Sequence, residues 1–138
     1  MIVLDTNVIS EVMRPNPSPK VLEWMRAEPL ASLFTTAITE AELLYGVALL
    51  PPGRRRQALE ATLTTVLSED FSGRILPFDS AATREFATVA AGRRRSGRPI
   101  SDADARIAAI ARSRGAAVAT RDVEDFAACD LMLIDPWR

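Results

Sequence analysis

Short runs of apolar residues alternate with longer amphipathic stretches along this chain of 138 residues. A short run without polar alternation predicts a strand that is buried on both faces, as in parallel sheets covered by helices. Parallel strands need long crossover connections, and the amphipathic stretches between the runs have the pattern of crossover helices. The sequence therefore predicts an α/β fold with a mostly parallel central sheet of four to five strands flanked by helices. We expect one domain over residues 1–138, because two domains would each have too small a core.

Proline, glycine and clusters of polar residues mark where the predicted elements end. The predicted strands are residues 2–4, 32–35, 75–76, 117–119 and 131–134. The predicted helices are residues 6–13, 39–50, 54–67, 80–95 and 102–114, with a further helix from Pro19 through Met25. Gly115 ends the last helix, since glycine is the residue that most often follows a helix C-terminus.

The chain contains no histidine and a single cysteine, Cys129. Mechanisms that depend on an imidazole base are therefore excluded, and so are most zinc sites. One cysteine forms no internal disulfide, which agrees with a reducing compartment. The chain has no apolar run long enough to cross a bilayer and no signal-peptide pattern at its start, so we expect a cytoplasmic protein without membrane contact. Any catalysis must rely on carboxylates, hydroxyls, arginines or a metal ion.

Arginine dominates the basic residues, because Lys20 is the only lysine among 17 lysines and arginines. The arginines cluster at 54–56, at 93–95 with Arg98, and at 112 and 114. Such clusters can bind the phosphates of a nucleic acid through bidentate hydrogen bonds, yet charge runs on helices are more typical of solvated faces. Taken alone, the arginine clusters indicate solvated helix faces.

Acidic residues stand where the predicted strands end. Asp5 follows the first strand, and Asp122 follows the fourth. Asp104 lies in the first turn of the helix that leads into the fourth strand, and Glu42 lies within about the first turn of the third predicted helix. In open parallel sheets, ligands bind outside the carboxyl ends of the strands, so these acids can meet at one edge. Carboxylates brought together repel one another unless a cation lies among them, and Mg²⁺ or Mn²⁺ suits a site of oxygen ligands alone.

Each of these acids also has a purely structural interpretation. Asp5 can cap the N-terminus of the helix that follows the first strand. Asp104 can be the third position of a capping box that begins at Ser101. Asp122 can cap the short turn that follows it, and Glu42 can be a solvated helix position. For Asp5 the functional interpretation is favoured, because a charge at the end of a buried strand needs a partner; for Glu42 alone the structural one is favoured.

Two further aspartates lie close to the same predicted features. Asp79 follows the third predicted strand, but its role as the N-cap of the next helix explains it better. Asp102 precedes Asp104 by two positions and is the alternative to Asp104 in the predicted site. We therefore place Asp79 outside the site and keep Asp102 as an alternative.

The segments around the four acids resemble, in order, four motifs of the PIN-domain ribonucleases. The segments are IVLDTN at 2–7, AITEAEL at 37–43 followed by YG at 45–46, DARIAA at 104–109, and VATRD at 118–122 with Phe126. The segment IDPW at 134–137 resembles members of the toxin branch of toxin–antitoxin pairs, the VapC and FitB group. The resemblance spans the whole chain, and four motifs in register are far more specific than any one of them.

The resemblance implies a PIN-like domain and a site of four acids, Asp5, Glu42, Asp104 and Asp122. It favours Asp104 over Asp102, because the spacing from Asp104 to IAA at 107–109 fits the family pattern. It also implies a bound Mg²⁺ or Mn²⁺ and RNA as the substrate. Its implied partners are a second copy of the chain and a small antitoxin, with a higher toxin–antitoxin assembly also open. The antitoxin would block the site and carry the part that binds operator DNA.

The mechanism that we expect is metal-assisted hydrolysis of RNA phosphodiester bonds, with Thr6 and Thr120 orienting carboxylates or water. Two other functions remain open. One is a Mg²⁺-dependent phosphohydrolase of small molecules with Asp5 as its nucleophile, although such enzymes often have an aspartate where Asn7 stands. The other is a catalytically silent PIN domain that only binds a partner, although such a protein would tolerate loss of the acids and all are present.

Overall fold

Five parallel strands form one sheet in the order β3-β2-β1-β4-β5 in the computed structural model, which describes residues 1–138. The strands are β1 (Ile2–Leu4), β2 (Leu33–Thr36), β3 (Ile75–Leu76), β4 (Ala117–Ala119) and β5 (Leu133–Ile134). The helices are α1 (Thr6–Val12), α2 (Pro19–Ala27), α3 (Ala37–Ala48), α4 (Arg54–Thr65), α5 (Ser80–Arg95) and α6 (Asp102–Ser113). The predicted α/β fold with a parallel sheet flanked by helices is confirmed.

The elements differ from their predicted bounds mainly at the ends. Helix α3 begins two residues before the predicted residue 39, because the Thr36 hydroxyl accepts the Thr39 amide hydrogen bond and caps the helix. The fifth strand is shorter than predicted, since only Leu133–Ile134 pair with β4. Helix α4 ends at Thr65, and one π-helical turn over Val66–Asp70 continues it.

The core consists of two apolar layers, one on each face of the sheet. On one face Val3 and Val118 pack with residues of α5 and α6, including Ile107. On the other face Leu4 and Leu33 pack with residues of the first four helices. Adjacent residues of β1 therefore belong to different layers, as the alternation of side chains along a strand requires. Full burial of such a side chain contributes about 1.5–3 kcal/mol, so both layers stabilise the central strand.

Helices α5 and α6 pack antiparallel, and ion pairs join the beginning of α5 to the end of α6. The Arg112 Nε atom lies 2.8 Å from Glu85 Oε2, and Arg114 Nη2 lies 3.7 Å from Asp79 Oδ2. Asp79 also caps α5, as predicted, by accepting a hydrogen bond from the Ala82 amide. These pairs lie near the beginning of β4, at the end of the sheet opposite to the strand ends that carry the acids.

One of the clustered arginines, Arg93, is buried rather than solvated. Its guanidinium donates hydrogen bonds to the backbone oxygens of Arg98, Asp125 and Ala127 at 2.6, 2.8 and 3.0 Å. It thereby joins the segment before α6 to the segment that follows Asp122. The interpretation of residues 93–95 as one solvated face is wrong at this position, because the backbone oxygens of an irregular segment need buried donors.

None of the helices combines the length and the apolar character that a membrane-spanning helix needs.

Candidate active site

All four predicted acids line one open cavity of about 450 Å³ at the carboxyl ends of β1 and β4. Asp5 follows β1, and Asp122 lies beyond the end of β4. Asp104 lies in the first turn of α6. Glu42 lies two residues deeper in its helix than the sequence predicts, because α3 begins at Ala37. The cavity is further lined by Thr6, Asn7, Ser10, Glu11, Arg14, Arg121 and Trp137.

Asp5 lies at the buried base of this cavity, with only 5% of its surface exposed. One carboxylate oxygen accepts the Thr6 amide hydrogen bond at 2.8 Å, and the other accepts the Thr120 hydroxyl at 2.8 Å. Burial raises the pKa of Asp5 to about 6, and the charges of Asp104 and Glu42 add to the effect while the two hydrogen bonds oppose it. Asp5 is thus both the predicted N-cap of α1 and a carboxylate whose ionisation is costly without a cation.

Asp104 occupies the predicted third position of the helix cap, and its amide donates to the Ser101 hydroxyl at 3.2 Å. Burial raises its pKa, the hydrogen bond with Ser101 opposes this, and the nearby charges of Asp125, Glu42 and Asp122 raise the pKa further. These like charges show that the acids act on one another across the cavity.

Asp102 has a different environment from Asp104. Its Oδ2 atom lies 3.1 Å from Arg106 Nη2, four residues along the exposed face of α6. It does not line the cavity. The geometry therefore places Asp104, and not Asp102, among the other predicted acids.

Neutral side chains hold the two exposed acids. Glu42 accepts a hydrogen bond from the Thr6 hydroxyl at 2.8 Å. Asp122 accepts one from the Asn7 amide at 2.9 Å, and its backbone amide donates to the Thr120 hydroxyl at 3.0 Å. Thr6 and Thr120 orient carboxylates as predicted. The role of Asn7 was not predicted, although its place two residues after Asp5 puts it at the same strand end.

No arginine or lysine neutralises any of the four acids, since none lies within 4.0 Å of their carboxylates. The cavity therefore keeps its negative charge, and a divalent cation with oxygen ligands fits it chemically. No three of the acidic side chains converge closely enough in this structure to enclose one ion. Glu42 and Asp122 are exposed, so rotation of their side chains is the adjustment that ion binding would require.

Sequence analysis missed two acidic contributors to this region. Glu11 is buried against the cavity and accepts hydrogen bonds from the Ser18 amide at 3.0 Å and from Arg14 at 3.3 Å. Asp125 adds the like charge that raises the pKa of Asp104. The available signal for Glu11 was its position among the apolar residues of α1, where a charge requires partners.

Comparisons with known proteins identify the family of this chain. The PIN domain family model matches residues 2–130. The VapC ribonuclease Y4jK of Sinorhizobium fredii is 44% identical over 138 residues, which are 100% of this chain and 99% of that protein. Toxin FitB of Neisseria gonorrhoeae is 42% identical over 138 residues, with the same coverage. The solved structure of FitAB bound to an IR36 DNA fragment superposes with a TM-score of 0.93 at 40% identity, covering 100% of this chain and 96% of that one.

Family match, full-length relatives and the shared arrangement of strands lead to one conclusion. The resemblance that the motifs indicated is confirmed over almost the whole chain. This chain belongs to the PIN domain family and, within it, to the VapC and FitB toxins of toxin–antitoxin systems.

Proposed function

We propose that this PIN-domain toxin is an endoribonuclease that hydrolyses RNA phosphodiester bonds with a divalent metal ion held by Asp5, Glu42, Asp104 and Asp122. The observation that carries the proposal is a cavity lined by these four acids with no cationic side chain within 4.0 Å of them. A like-charge cluster of this kind costs stability, so it is retained for binding rather than for folding. The name of the VapC ribonuclease relative supports RNA as the substrate.

The donor set fits Mg²⁺ or Mn²⁺, since it consists of carboxylate oxygens with neither histidine nor thiolate. A bound ion would lower the pKa of a water molecule and stabilise the negative charge that develops on the phosphate. Ionised Asp5 is the form that binds a cation, and its raised pKa means that cation binding and proton release are coupled.

Hydrogen bonds within the protein orient the carboxylates of the cavity. The Thr6 amide and the Thr120 hydroxyl each hold one oxygen of Asp5, so this carboxylate has a fixed plane. The Thr6 hydroxyl holds Glu42, and Asn7 holds Asp122. Such supporting hydrogen bonds fix ligand geometry before the substrate arrives. With water as the nucleophile and the 3′ oxygen as the leaving group, the bond from phosphorus to the 3′ oxygen would break, and the products would carry a 5′-phosphate and a 3′-hydroxyl.

Burial of Asp5 argues against the alternative of a phosphohydrolase that uses it as a covalent nucleophile. Only 5% of the residue is exposed. An attacking carboxylate needs an oxygen with an open approach to the substrate, and a buried residue offers less room for that approach than an exposed one. Hydrolysis by water beside the acids is the chemistry that this geometry favours.

The proposal includes a cognate antitoxin and a homodimer. The solved FitAB structure is of a pair bound to DNA, which supports an antitoxin that makes the DNA contact, within a larger assembly. The exposed side of α3 and of its C-cap residue supports the dimer, because Leu44 and Tyr45 in the helix and Leu49 at its end are 52%, 67% and 66% exposed. Apolar side chains gathered on one helix face are typical of an interface with another protein.

The test uses the purified protein, freed of antitoxin, with total cellular RNA and Mg²⁺ or Mn²⁺. We expect discrete cuts with 5′-phosphate ends that disappear when a chelator is added. The variant Asp104→Asn, with folding verified by circular dichroism, is the matched control and should not cut. Cuts that persist in chelator, or ends with 2′,3′-cyclic phosphate, would contradict the proposal.

A further inference from the structure

Trp137 and Arg121 are two side chains of the cavity wall that do not hold the acids. Trp137 is the only hydrophobic residue that lines the cavity. The Arg121 guanidinium lies over its indole ring, 5.2 Å from the ring centroid. An arginine at this distance is attracted by the face of the ring, so the two side chains hold one another in place.

The Arg121 guanidinium forms no ion pair in the structure. It is exposed, its side chain donates no hydrogen bond, and no carboxylate lies within 4.0 Å of it although Asp122 is the next residue. Its backbone amide lies 3.4 Å from Asn7 Oδ1, which fixes the position of the residue at the end of β4. The other arginine of the cavity wall, Arg14, is paired with Glu11 at 3.3 Å.

A nucleic acid that enters this cavity meets four carboxylates that repel its phosphates. A guanidinium at the rim with free donors offsets that repulsion and binds a phosphate with defined geometry. Aromatic rings and arginine planes are also the surfaces on which single-stranded bases stack. A duplex keeps its bases stacked on one another, so such a surface can bind only an unpaired nucleotide.

We infer that Arg121 and Trp137 form a nucleotide-binding pair that holds one unpaired nucleotide of the RNA beside the bond to be cut. The guanidinium binds the phosphate, and the base stacks on the paired Arg121 and Trp137 side chains. The inference rests on the proposed function and deepens it, because it requires the RNA to be single-stranded at the cut. Arg121 and Trp137 are substrate-binding residues and take no part in the bond cleavage itself.

Fluorescence tests the inference without cleavage. The chain has 2 tryptophans, so Trp24→Phe leaves Trp137 as the only reporter. Combined with Asp104→Asn, which keeps the RNA intact, this protein is titrated in Mg²⁺ with a short unstructured oligoribonucleotide and with the same strand annealed to its complement. We expect quenching of Trp137 emission by the single strand and little by the duplex. No quenching by the single strand, or equal quenching by both, overturns the inference.

Kinetics with the single-stranded oligonucleotide give a second test. Arg121→Gln and Trp137→Leu should each raise KM about tenfold, the size expected for loss of one stacked base, with a much smaller change in kcat. Trp137→Phe should recover most of the loss, because it retains an aromatic face. Arg94→Gln, which removes an exposed arginine outside the cavity, and Trp24→Phe should leave KM unchanged.

The outcomes separate the inference from the function on which it rests. Cleavage with parental KM in Arg121→Gln and Trp137→Leu overturns the nucleotide-binding pair and leaves the nuclease intact. Selective quenching by single strands without any metal-dependent cleavage by the parent protein overturns the proposed nuclease and retains the pair. A fall in kcat with unchanged KM in both Arg121→Gln and Trp137→Leu would show that the two residues act only on folding or on the acids. This result would also overturn the inference.

Discussion

The two ends of the sheet have cavities of similar size, but they differ in whether the charged side chains that line them form ion pairs. At the amino end of β4, a cavity of about 540 Å³ is lined by Glu85 and Arg112, which form an ion pair at 2.8 Å, and by one unpaired acid, Asp130. At the carboxyl end, the cavity of about 450 Å³ is lined by four predicted acids that have no cationic partner. Paired charges serve the fold, whereas unpaired like charges cost stability and indicate a binding site. This difference in charge pairing, and not the size of either cavity, is the reason to propose the carboxyl end as the functional end.

The largest expected effect is on activity when a charge is removed from the carboxyl end. Asp104→Asn should lower RNA cleavage at least about 100-fold, since loss of a group that merely supports a metal ligand already costs about 10- to 100-fold. The melting temperature should stay equal or rise, because like-charge repulsion falls. Glu85→Gln at the amino end is the matched change and should leave the cleavage rate unaltered. Equal losses in both variants would break the comparison.

The second prediction concerns stability and pH in the absence of metal. The pKa of Asp5 is about 6 in the folded protein, whereas the ordinary value for an aspartate is 3.8, so the folded protein binds this proton more tightly than the unfolded chain does. The contribution of Asp5 to the free energy of unfolding therefore falls as pH rises from about 4 to about 6, by about 3 kcal/mol in total. Asp104 shifts in the same direction.

Denaturant unfolding in chelator at several pH values measures this dependence. The parent protein should lose stability across that interval, and Asp5→Asn should lose markedly less. A parent protein that gains stability over the same interval would contradict the assigned shift.

A third prediction separates two neighbouring arginines of one run. Arg93→Ala removes the donor to the backbone oxygens of Arg98, Asp125 and Ala127 and should destabilise the protein by about 2–4 kcal/mol, because buried acceptors are left without a partner. Arg94→Ala, an exposed site on the same helix, should change stability by less than about 0.5 kcal/mol. Chemical denaturation of both variants at neutral pH checks this contrast.

The smallest expected effect lies at the amino end itself. The side chains of Arg112 and Glu85 are 22% and 33% exposed, so solvent and salt weaken their pair. Glu85→Gln should therefore lower stability by about 1 kcal/mol or less, and the difference from the parent should shrink in high salt. A loss of several kcal/mol would mean that this end depends on its charges as much as the other end does.

The sequence predicted which acids lie together at one edge of the sheet better than it predicted the buried contacts around them. Asp5 and Asp122 could be placed because strand ends are marked by the change from apolar to polar residues. The burial of Arg93 could not be predicted, because two of its three acceptors are backbone oxygens of a segment 32 to 34 residues away along the chain. The periodicity of apolar residues carries no information about such distant contacts, and the sequence alone does not distinguish Arg93 from its neighbour Arg94. The position of β1 between β2 and β4 is likewise a property of the assembled sheet, which no local pattern encodes.

The hydrogen bond from Thr120 to Asp5 joins residues that are 115 positions apart, and it has a consequence for the timing of synthesis. Ribosomes add about 5–20 residues per second, so about 6–23 s separate the appearance of Asp5 from that of its partner. During that interval β1 lacks its neighbour β4, and the acidic cavity does not exist. An incomplete chain that stops before residue 117 can fold no such cavity. Translation that is aborted early would thus release fragments without the acidic cavity.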